Sequence, residues 1–427
     1  MAEFSPMMRH YLELKKTLPD TLVFYRLGDF YEMFFEDAKI ASAALELVLT
    51  GRNAGVKERV PMCGVPVHAL NGYLSRLINS GFKVAIVEQM EEATGKTIVN
   101  REVVRIVTPG TNLDDTEEAM IMALCENADY YYLALCNISV GTVYCHRITR
   151  NQNLLQQMID EYTVKELVLS DRANQPNVNG VVISYFDQES EYQEPLVFEL
   201  VNEEPLYRQS LTALLGYLRL TQKQSTTNIK EVKWLVDQEV LHLDYQSKLN
   251  LEIIANRNSP HKISLFQYLN HCQSAMGHRT LKQWVENPLR SLSKINYRQQ
   301  VINYLNQEFL IKNQLIDCLK KVYDLERLLA KLVYRQANNK DLLALKVTVQ
   351  SAVIIQGLLN DELWDDIKVE DDCQATGELL EKALNDDPAL YNKDNQLFRT
   401  GYHQQLDHYR DLQQRERRDG QGDNIRR

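Results

Sequence analysis

An aromatic cluster around a single acid is the stretch of this sequence that is best suited to chemistry. The octapeptide from Gly28 to Phe35 (GDFYEMFF) sets four aromatic side chains and the carboxylate of Glu32 directly after a turn signal. A helix that begins here could bury about two of the aromatics, so the others must face a pocket, a partner or a ligand. The residue types alone leave two interpretations open, a segment packed into its own domain and a binding surface.

Short predicted strands and helices surround this cluster. A helix is predicted over residues 6–18, with Ser5 as its N-cap and Pro6 at its first position. The other predicted elements are a strand at 21–26, helices at 36–47 and 68–80, and strands at 82–88 and 102–108. Such an alternation predicts a compact α/β domain of about 110 residues.

Two further patterns follow along the chain. Between residues 127 and 235 the sequence predicts a hairpin about Asn137 and a second α/β domain. Its other elements are helices at 153–162 and 207–222 and strands at 166–170 and 180–184. From about residue 245 the pattern is helical throughout, with segments at 315–336, 341–359 and 404–418. The last of these segments has almost no apolar face after Leu412, and we expect this sequence to end within a longer protein.

Composition excludes several classes of protein. A length of 427 residues predicts two to four domains, and 44% hydrophobic with 25% charged residues is typical of a soluble globular protein. No run of eighteen apolar residues and no signal-peptide pattern is present, so no membrane segment is predicted. Seven scattered cysteines favour reduced thiols in the cytoplasm over a zinc site or disulfides.

The charge distribution argues against a protein that coats nucleic acid indiscriminately. The net charge is −10, whereas phosphate neutralisation needs clustered Lys and Arg. Residues 1–110 hold 13 basic and 13 acidic side chains, which leaves 35 basic and 45 acidic ones for the rest of the chain. A first domain with no net charge can still bind DNA locally, even though the rest of the chain is acidic.

Several sequence blocks, in order along the chain, carry a family resemblance. Within the first 111 residues they are FYRLGDFYEMFF (24–35), PMCGVPVH (61–68), VAIVEQ (84–89) and VVRIVTPGT (103–111). Later blocks are LDYQSKLNLE (243–252), AMGHRTL (275–281), NPL (287–289), DLERLLAK (324–331), DLLAL (341–345) and GYHQQLDHYR (401–410). In these blocks the sequence resembles the MutS family of DNA mismatch repair proteins.

The resemblance implies a multidomain α/β plus all-α architecture. Residues 1–111 would form the α/β mismatch-recognition domain, 112–240 an RNase-H-like α/β connector, and 241–427 the α-helical core with its lever helices. A clamp and an ABC-type ATPase domain would follow, and the chain is expected to end near the start of the clamp.

The resemblance also assigns roles to two residues of the aromatic cluster. Phe30 would be the wedge that enters the minor groove and stacks on a mispaired base, and Glu32 would hydrogen-bond that base. Separating base steps costs roughly a few kcal/mol, and less where pairing is already defective. The alternatives from the residues alone are a core aromatic for Phe30 and a helix N-terminal acid for Glu32.

Four basic residues are candidates for contacts with the DNA backbone. Arg52, Lys57 and Arg59 lie in a polar, glycine-punctuated segment, and Arg76 lies on a predicted helix. An ordinary solvated face is the alternative for all four. Val67 stands where the family usually has an aromatic before the histidine, which puts a contact at that position in doubt.

No enzymatic activity is predicted for this chain. TGKT at 94–97 imitates the end of a P-loop, but Met90 occupies the position of the required first glycine. No cofactor or metal is expected here, because the ATP and Mg²⁺ of the family belong to its ATPase domain.

The resemblance further implies a set of partners and a location. The partners would be duplex DNA with mismatches or small insertion/deletion loops, a MutL-type repair protein and a second copy of the full-length protein. A cytoplasmic location, on the nucleoid when bound to DNA, and no membrane are expected. The alternative function is an interaction scaffold that keeps this fold without binding DNA.

Overall fold

The structure is a computed structural model, and it divides into two compact units, Met1–Asp237 and Gln238–Arg427. It describes residues 4–55, 58–90, 100–113, 119–186, 205–223, 229, 231–235, 239–255, 263–359, 364, 373–385 and 397–412. In these residues the first unit holds two mixed sheets with helices, and the second is helical apart from two isolated β-bridges. The coarse fold class is therefore confirmed, while the boundaries after residues 111 and 240 stay predictions.

The first sheet has six strands. They are β1 (Leu22–Leu27), β2 (Phe30–Phe34), β3 (Thr50–Arg52), β4 (Val60–Pro66), β5 (Val84–Gln89) and β6 (Arg101–Val107), in the order β3-β4-β2-β1-β5-β6. The accompanying helices are α1 (Pro6–Thr17), α2 (Phe35–Leu45) and α3 (Leu70–Asn79). Strands β1 and β5 are parallel and the other neighbours are antiparallel. This sheet bears the aromatic cluster.

Helices cover the two faces of this sheet differently. Met8 and Tyr11 of α1 pack with Tyr25 and Phe34 on one side, which we call the α1 face. On the other side, side chains of α2 and α3 pack against Tyr31 and its strand neighbours, which we call the α2/α3 face. Successive residues of β2 point alternately to the α1 face and to the α2/α3 face. Each therefore lies against one of these two cores, except at the start of the strand, where Phe30 is exposed.

A buried carboxylate fixes α1 on the sheet. Asp37 accepts hydrogen bonds from the Tyr11 hydroxyl (2.8 Å) and from the backbone N–H of Val23 (3.0 Å), and it pairs with the Lys15 ammonium (2.7 Å). A buried charge is tolerated only when it is paired and hydrogen-bonded, and here α1, β1 and α2 supply the groups that meet. The orientation of α1 therefore depends on Asp37.

The helix predicted at 36–47 is confirmed as α2, and the possibility that a helix begins at the start of the aromatic cluster is excluded. Residues Phe30–Phe34 form β2, and α2 begins only at Phe35. The reason is the adjacent strands, since β1 and β4 supply hydrogen-bond partners along both edges of β2. Ser5 stands at the N-cap of α1 as predicted, although its side chain makes no capping hydrogen bond.

The second sheet follows in the same unit. Its strands are β7 (Met120–Glu126), β8 (Tyr130–Asn137), β9 (Thr142–Thr149), β10 (Val164–Leu169), β11 (Val182–Tyr185) and β12 (Glu231–Trp234), in the order β11-β10-β7-β8-β9-β12. The helices are α4 (Gln152–Glu161) and α5 (Pro205–Gln222). The predicted hairpin at Asn137 is confirmed, whereas β7 and β12 were not anticipated.

A second buried carboxylate joins the two sheets. Glu166 of β10 is fully buried and accepts hydrogen bonds from the hydroxyls of Thr108, Ser184 and Tyr217, the last at 2.6 Å. The backbone N–H of Gly110 also donates to it, at 3.1 Å. Since Thr108 and Gly110 closely follow β6, this carboxylate ties the end of the first sheet to the second.

The second unit consists of helices in the residues described. They are α6 (Tyr245–Asn250), α7 (Leu265–Leu269), α8 (Ala275–Glu286), α9 (Leu292–Gln307), α10 (Phe309–Leu319), α11 (Leu325–Val333), α12 (Asn339–Leu358) and α13 (Gln374–Ala383), and residues 404–412 are also helical. The predicted single segment 315–336 is wrong, because Asp324 caps a new helix, α11. Residues 413–418 of the last predicted helix lie outside the described residues, as does the TGKT segment.

One helix of this unit, α12, is long and apolar enough to be a candidate membrane span, although the sequence analysis predicts no membrane segment. By length and composition alone α12 is apolar enough to cross a membrane, a test that core helices of soluble proteins also pass. Lys346, midway along α12, forms a 2.8 Å ion pair with Glu381 of α13. This pairing and the packing against α10, α11 and α13 favour a helix of the bundle.

A partly buried ion pair in the second unit gives a pH-dependent prediction. The Arg279 guanidinium donates two hydrogen bonds to Asp324 (2.7 and 2.8 Å). Burial acts to raise the pKa of Asp324, but the hydrogen bonds and charge of Arg279 outweigh it and lower that pKa. Asn also caps helices well, so Asp324→Asn removes the charge and should lower the free energy of unfolding by about 2 kcal/mol at pH 7.

The sign of the pH dependence follows from the lowered pKa. The stabilisation is present above the unfolded-state pKa, about 4, and is lost as pH falls through the lower folded-state pKa. The difference between wild type and Asp324→Asn should therefore shrink at about pH 3. Urea unfolding in a Trp234→Phe background measures it, and Asp317→Asn, at an exposed pair with Lys320, is the control. An equal difference at both pH values would contradict the prediction.

Candidate nucleic-acid interface

The predicted site lies at one end of the first sheet, at the tight turn that joins β1 to β2. Gly28 has a φ of +60°, a conformation that side chains with a Cβ rarely adopt. The carbonyl of Asp29 accepts a hydrogen bond from the backbone N–H of Val67 (2.9 Å), so the segment after β4 fixes the turn. Val67 also packs against the core of the α2/α3 face, which gives this valine a structural role.

Phe30 is an exposed aromatic on a rigid support. It is the first residue of β2, and it is paired with Leu27 of β1 on one side and with Pro66 of β4 on the other. Its side chain is 48% exposed, which forgoes about 1 kcal/mol of the stabilisation that full burial of a phenylalanine would give. A ring that is held by two strands and still left in water is well placed to contact a ligand.

The other aromatics of the cluster belong to the protein core. Tyr31 and Phe34 are buried on opposite faces of the sheet. Phe35 packs edge-on against Phe4, with ring centroids 5.8 Å apart. Tyr31 points to the face opposite Phe30. Phe34 shares the face of Phe30 but is covered by Tyr11 of α1, so Phe30, at the end of β2, is left exposed.

Glu32 lies two residues beyond Phe30 and on the same side of β2. Its neighbours across the strands are Tyr25 of β1 and Gly64 of β4. Its side chain is 16% exposed, and its carboxylate forms an ion pair in which Arg52 Nη1 donates to Oε2. The alternative of a helix N-terminal acid is thereby excluded for Glu32, because the residue is in a strand.

Arg101 is a further cation on the α1 face that was not predicted from the sequence. Its guanidinium lies over the ring of Tyr25, 5.3 Å from the centroid, and its Nε donates to the carbonyl of Arg26 (3.0 Å). Burial raises the pKa of Tyr25, and the charge of Arg101 opposes that rise. The signal in the sequence was a basic residue at the start of the 102–108 strand, opposite the end of β5.

The remaining predicted phosphate contacts are not all gathered at this site. A Cβ at Gly51 would lie 3.0 Å from the Cβ of Arg59, so Arg59 lies on the side of β3 opposite to Arg52. Arg76 lies in the last turn of α3, the helix that covers the α2/α3 face. Lys57 lies outside the described residues. Of these four cations the structure brings Arg52 to Glu32.

The chemistry of this surface is recognition. It offers an exposed aromatic ring, a carboxylate, and the guanidinium groups of Arg52 and Arg101. Within the residues described, no group of three or more His, Cys, Asp or Glu side chains is arranged to hold a metal ion. The ring can stack, the carboxylate can accept hydrogen bonds from bases, and the guanidinium groups can contact phosphates.

Comparison with known proteins gives the family. Residues 5–116 match MutS domain I, residues 119–230 match MutS domain II, and residues 246–421 match MutS domain III. The chain belongs to the MutS family. The surface around Phe30 thus lies in MutS domain I, the Glu166 junction follows it into domain II, and the helices of the second unit fall in domain III.

Curated MutS family members match along almost the whole chain. The DNA mismatch repair protein MutS of Bacillus subtilis is 36% identical over 430 residues, which cover 96% of this chain and 50% of that protein. The proteins of the same name from Bacillus velezensis and Acetivibrio thermocellus are 37% and 35% identical, with 96% of this chain and 49% and 51% of those proteins covered. The chain spans about half the length of the curated relatives it matches.

Proposed function

We propose that this chain recognises mismatched or unpaired bases in duplex DNA and thereby takes part in DNA mismatch repair. The observation that carries the proposal is Phe30, an exposed ring held at the end of a sheet in a domain that matches MutS domain I. Relatives named as DNA mismatch repair proteins support the same role.

The proposed mechanism uses the deformability of DNA. Phe30 enters the minor groove and stacks on the mispaired base, which costs roughly a few kcal/mol of unstacking and costs less where pairing is defective. Bending the site costs on the order of 1–6 kcal/mol, and a mismatch lowers this cost as well. Glu32 accepts a hydrogen bond from the displaced base, and its charge disfavours intact duplex.

Backbone contacts supply affinity without discrimination in this mechanism. Arg52 and Arg101 lie on the face that bears Glu32, and we propose them for contacts with phosphates beside the mispair. Lys57, Arg59 and Arg76 are proposed as contacts farther along the duplex. Such contacts make binding salt-dependent: the logarithm of the binding constant falls with the logarithm of the salt concentration, with a slope of about −0.9 per phosphate contacted.

Several finer assignments are part of the same proposal. The strand order β9-β8-β7-β10-β11, antiparallel for the first three strands and parallel for the others, supports an RNase-H-like connector. We assign no catalysis to these residues, and ATP and Mg²⁺ would be bound by the ATPase domain of the family. A MutL-type protein and a second copy are the proposed protein partners, in the cytoplasm.

Binding measurements test the proposed function directly. In fluorescence anisotropy titrations at one fixed salt concentration, the chain should bind duplexes with a G·T pair or an unpaired T about tenfold or more tightly than the matched homoduplex, because each of these defects makes bending and unstacking easier. Equal affinity for all three duplexes, or no binding to any of them, would favour the interaction scaffold instead.

A further inference from the structure

The Glu32–Arg52 ion pair reaches across an intervening strand. Arg52 ends β3 and Glu32 is in the middle of β2, with β4 between them in the sheet. Arg52 Nη1 donates to Glu32 Oε2, and the two side chains are 37% and 16% exposed. The acid of the proposed recognition site is thus held by a cation from a separate hairpin.

Gly64 leaves room for this contact. It pairs with Glu32 across β2 and β4, and a Cβ at position 64 would lie 3.5 Å from Glu32 Cγ and 3.2 Å from the carbonyl oxygen of Tyr31. A Cβ here would be tight against that carbonyl oxygen and in van der Waals contact with Cγ, and a longer side chain would add bulk beside the Glu32 carboxylate. The glycine therefore keeps the α1 face open where the guanidinium of Arg52 approaches Glu32.

The two oxygens of the Glu32 carboxylate are in different situations. Arg52 occupies Oε2, and none of the donors that the structure describes reaches Oε1. An ionised carboxylate accepts at both oxygens, so Oε1 can take an N–H from a base while Oε2 stays paired.

We infer that Arg52 is a specificity-determining residue that positions the Glu32 carboxylate for the displaced base, in addition to any contact with phosphate. This inference rests on the proposed function. The positioning role of Arg52 differs from a plain phosphate contact in one measurable respect. A phosphate contact weakens binding to every duplex alike, whereas a positioning residue changes the ratio between mismatched and intact duplex, and only while Glu32 is present.

A double-mutant cycle separates the two roles. Affinities of the full chain for G·T duplex and homoduplex are measured for wild type, Arg52→Met, Glu32→Gln and the double variant. Arg52→Met should lower the mismatch preference about fivefold with Glu32 present and less than twofold in the Glu32→Gln background, because the coupling runs through the carboxylate. Arg52→Lys keeps the charge without the planar fork and should recover part of the preference.

A neighbouring cation supplies the matched control. Arg59→Met removes one positive charge from the same hairpin on the opposite side of β3. As a proposed phosphate contact it should weaken binding to G·T duplex and homoduplex alike, so the ratio of the two affinities should stay at the wild-type value. Arg52→Gln serves as a second variant that retains polarity at this half-exposed position. Thermal unfolding of every variant checks that the fold is intact.

The outcomes distinguish this inference from the proposed function. An equal effect of Arg52→Met in both backgrounds, or weaker binding to both duplexes at a constant ratio, would overturn the inference while the proposed function stands. A wild-type ratio of one would overturn the proposed function and this inference together. A Glu32-dependent loss of preference that Arg52→Lys partly restores supports both.

Discussion

Phe30→Ala is expected to bring the ratio of mismatch to homoduplex affinity to within about twofold of one. The ring is the apolar group that would separate the base steps at the mispair, and alanine is too short to replace it. Homoduplex binding should change little, because it depends on contacts with phosphates. The measurement is anisotropy titration of G·T, unpaired-T and matched duplexes at one salt concentration.

The size of the Phe30 effect comes from the position of the ring. Its strand neighbours Leu27 and Pro66 fix the backbone, so the protein loses little conformational entropy in orienting the side chain when DNA binds. Phe30→Tyr keeps an aromatic face and should retain most of the preference. Phe30→Leu keeps an apolar group without a planar face and should retain less.

A second exposed apolar residue of the same domain provides the control. Ile40 of α2 is 40% exposed, on a helix that packs against the α2/α3 face. Ile40→Ala should leave both affinities unchanged. A mismatch preference that survives Phe30→Ala, or that Ile40→Ala reduces equally, would show that the discriminating contact lies elsewhere.

Glu166→Ala is expected to lower the free energy of unfolding of the first unit by about 3–5 kcal/mol, because it strips the acceptor from four buried donors. The hydroxyls of Thr108, Ser184 and Tyr217 and the N–H of Gly110 all point at this carboxylate. Burial, followed by the charge of Glu166, raises the pKa of Tyr217 far above its ordinary value, so this hydroxyl stays protonated as a donor.

A comparison with an exposed ion pair isolates the effect of burial. Glu126 of β7 forms an ion pair with the half-exposed Arg150 at 3.0 Å, and Glu126→Ala should cost less than about 1 kcal/mol. Urea unfolding can be followed by Trp234 in a background of Trp284→Phe and Trp364→Phe. Similar losses for Glu166→Ala and Glu126→Ala would mean that the junction carries no special stabilisation.

Gly110 offers an independent test of the same junction. A Cβ at this position would lie 2.9 Å from the Cβ of Glu166 and 3.0 Å from the Cβ of Ile121. Both neighbours are backbone-proximal atoms that cannot swing away, so Gly110→Ala must displace the segment after β6. We therefore expect this single methyl group to destabilise the unit in the same direction as Glu166→Ala.

Much of the architecture was readable from the sequence. Local periodicity located α1, α3, α5 and the hairpin about Asn137, because these elements depend on residues close in sequence. The ordered blocks of MutS-like sequence gave the family, which the matches to domains I, II and III confirmed. The same blocks singled out Phe30 and Glu32 as the residues of the proposed site.

The tertiary structure decided what local patterns leave open. A run such as FYEMFF suits a helix or a strand equally well, and only pairing with β1 and β4 made it a strand that exposes Phe30. The break at Asp324 combines a local cap, in which Asp324 accepts from the N–H of Arg327, with an ion pair to Arg279, 45 residues away. In both cases the competing local conformations differ little in energy, and contacts beyond the local pattern select between them.

The sequence by itself determined the family, the order of the domains and the identity of the aromatic and the acid at the proposed site. Only the tertiary structure paired Glu32 with Arg52, 20 residues away, placed Arg59 on the opposite side of β3, and joined Glu166 to Thr108 over 58 residues. Strand register and sheet order create these contacts. Neither is encoded in the spacing of the residues that meet, so the partners of a site residue become visible only when the strands are paired.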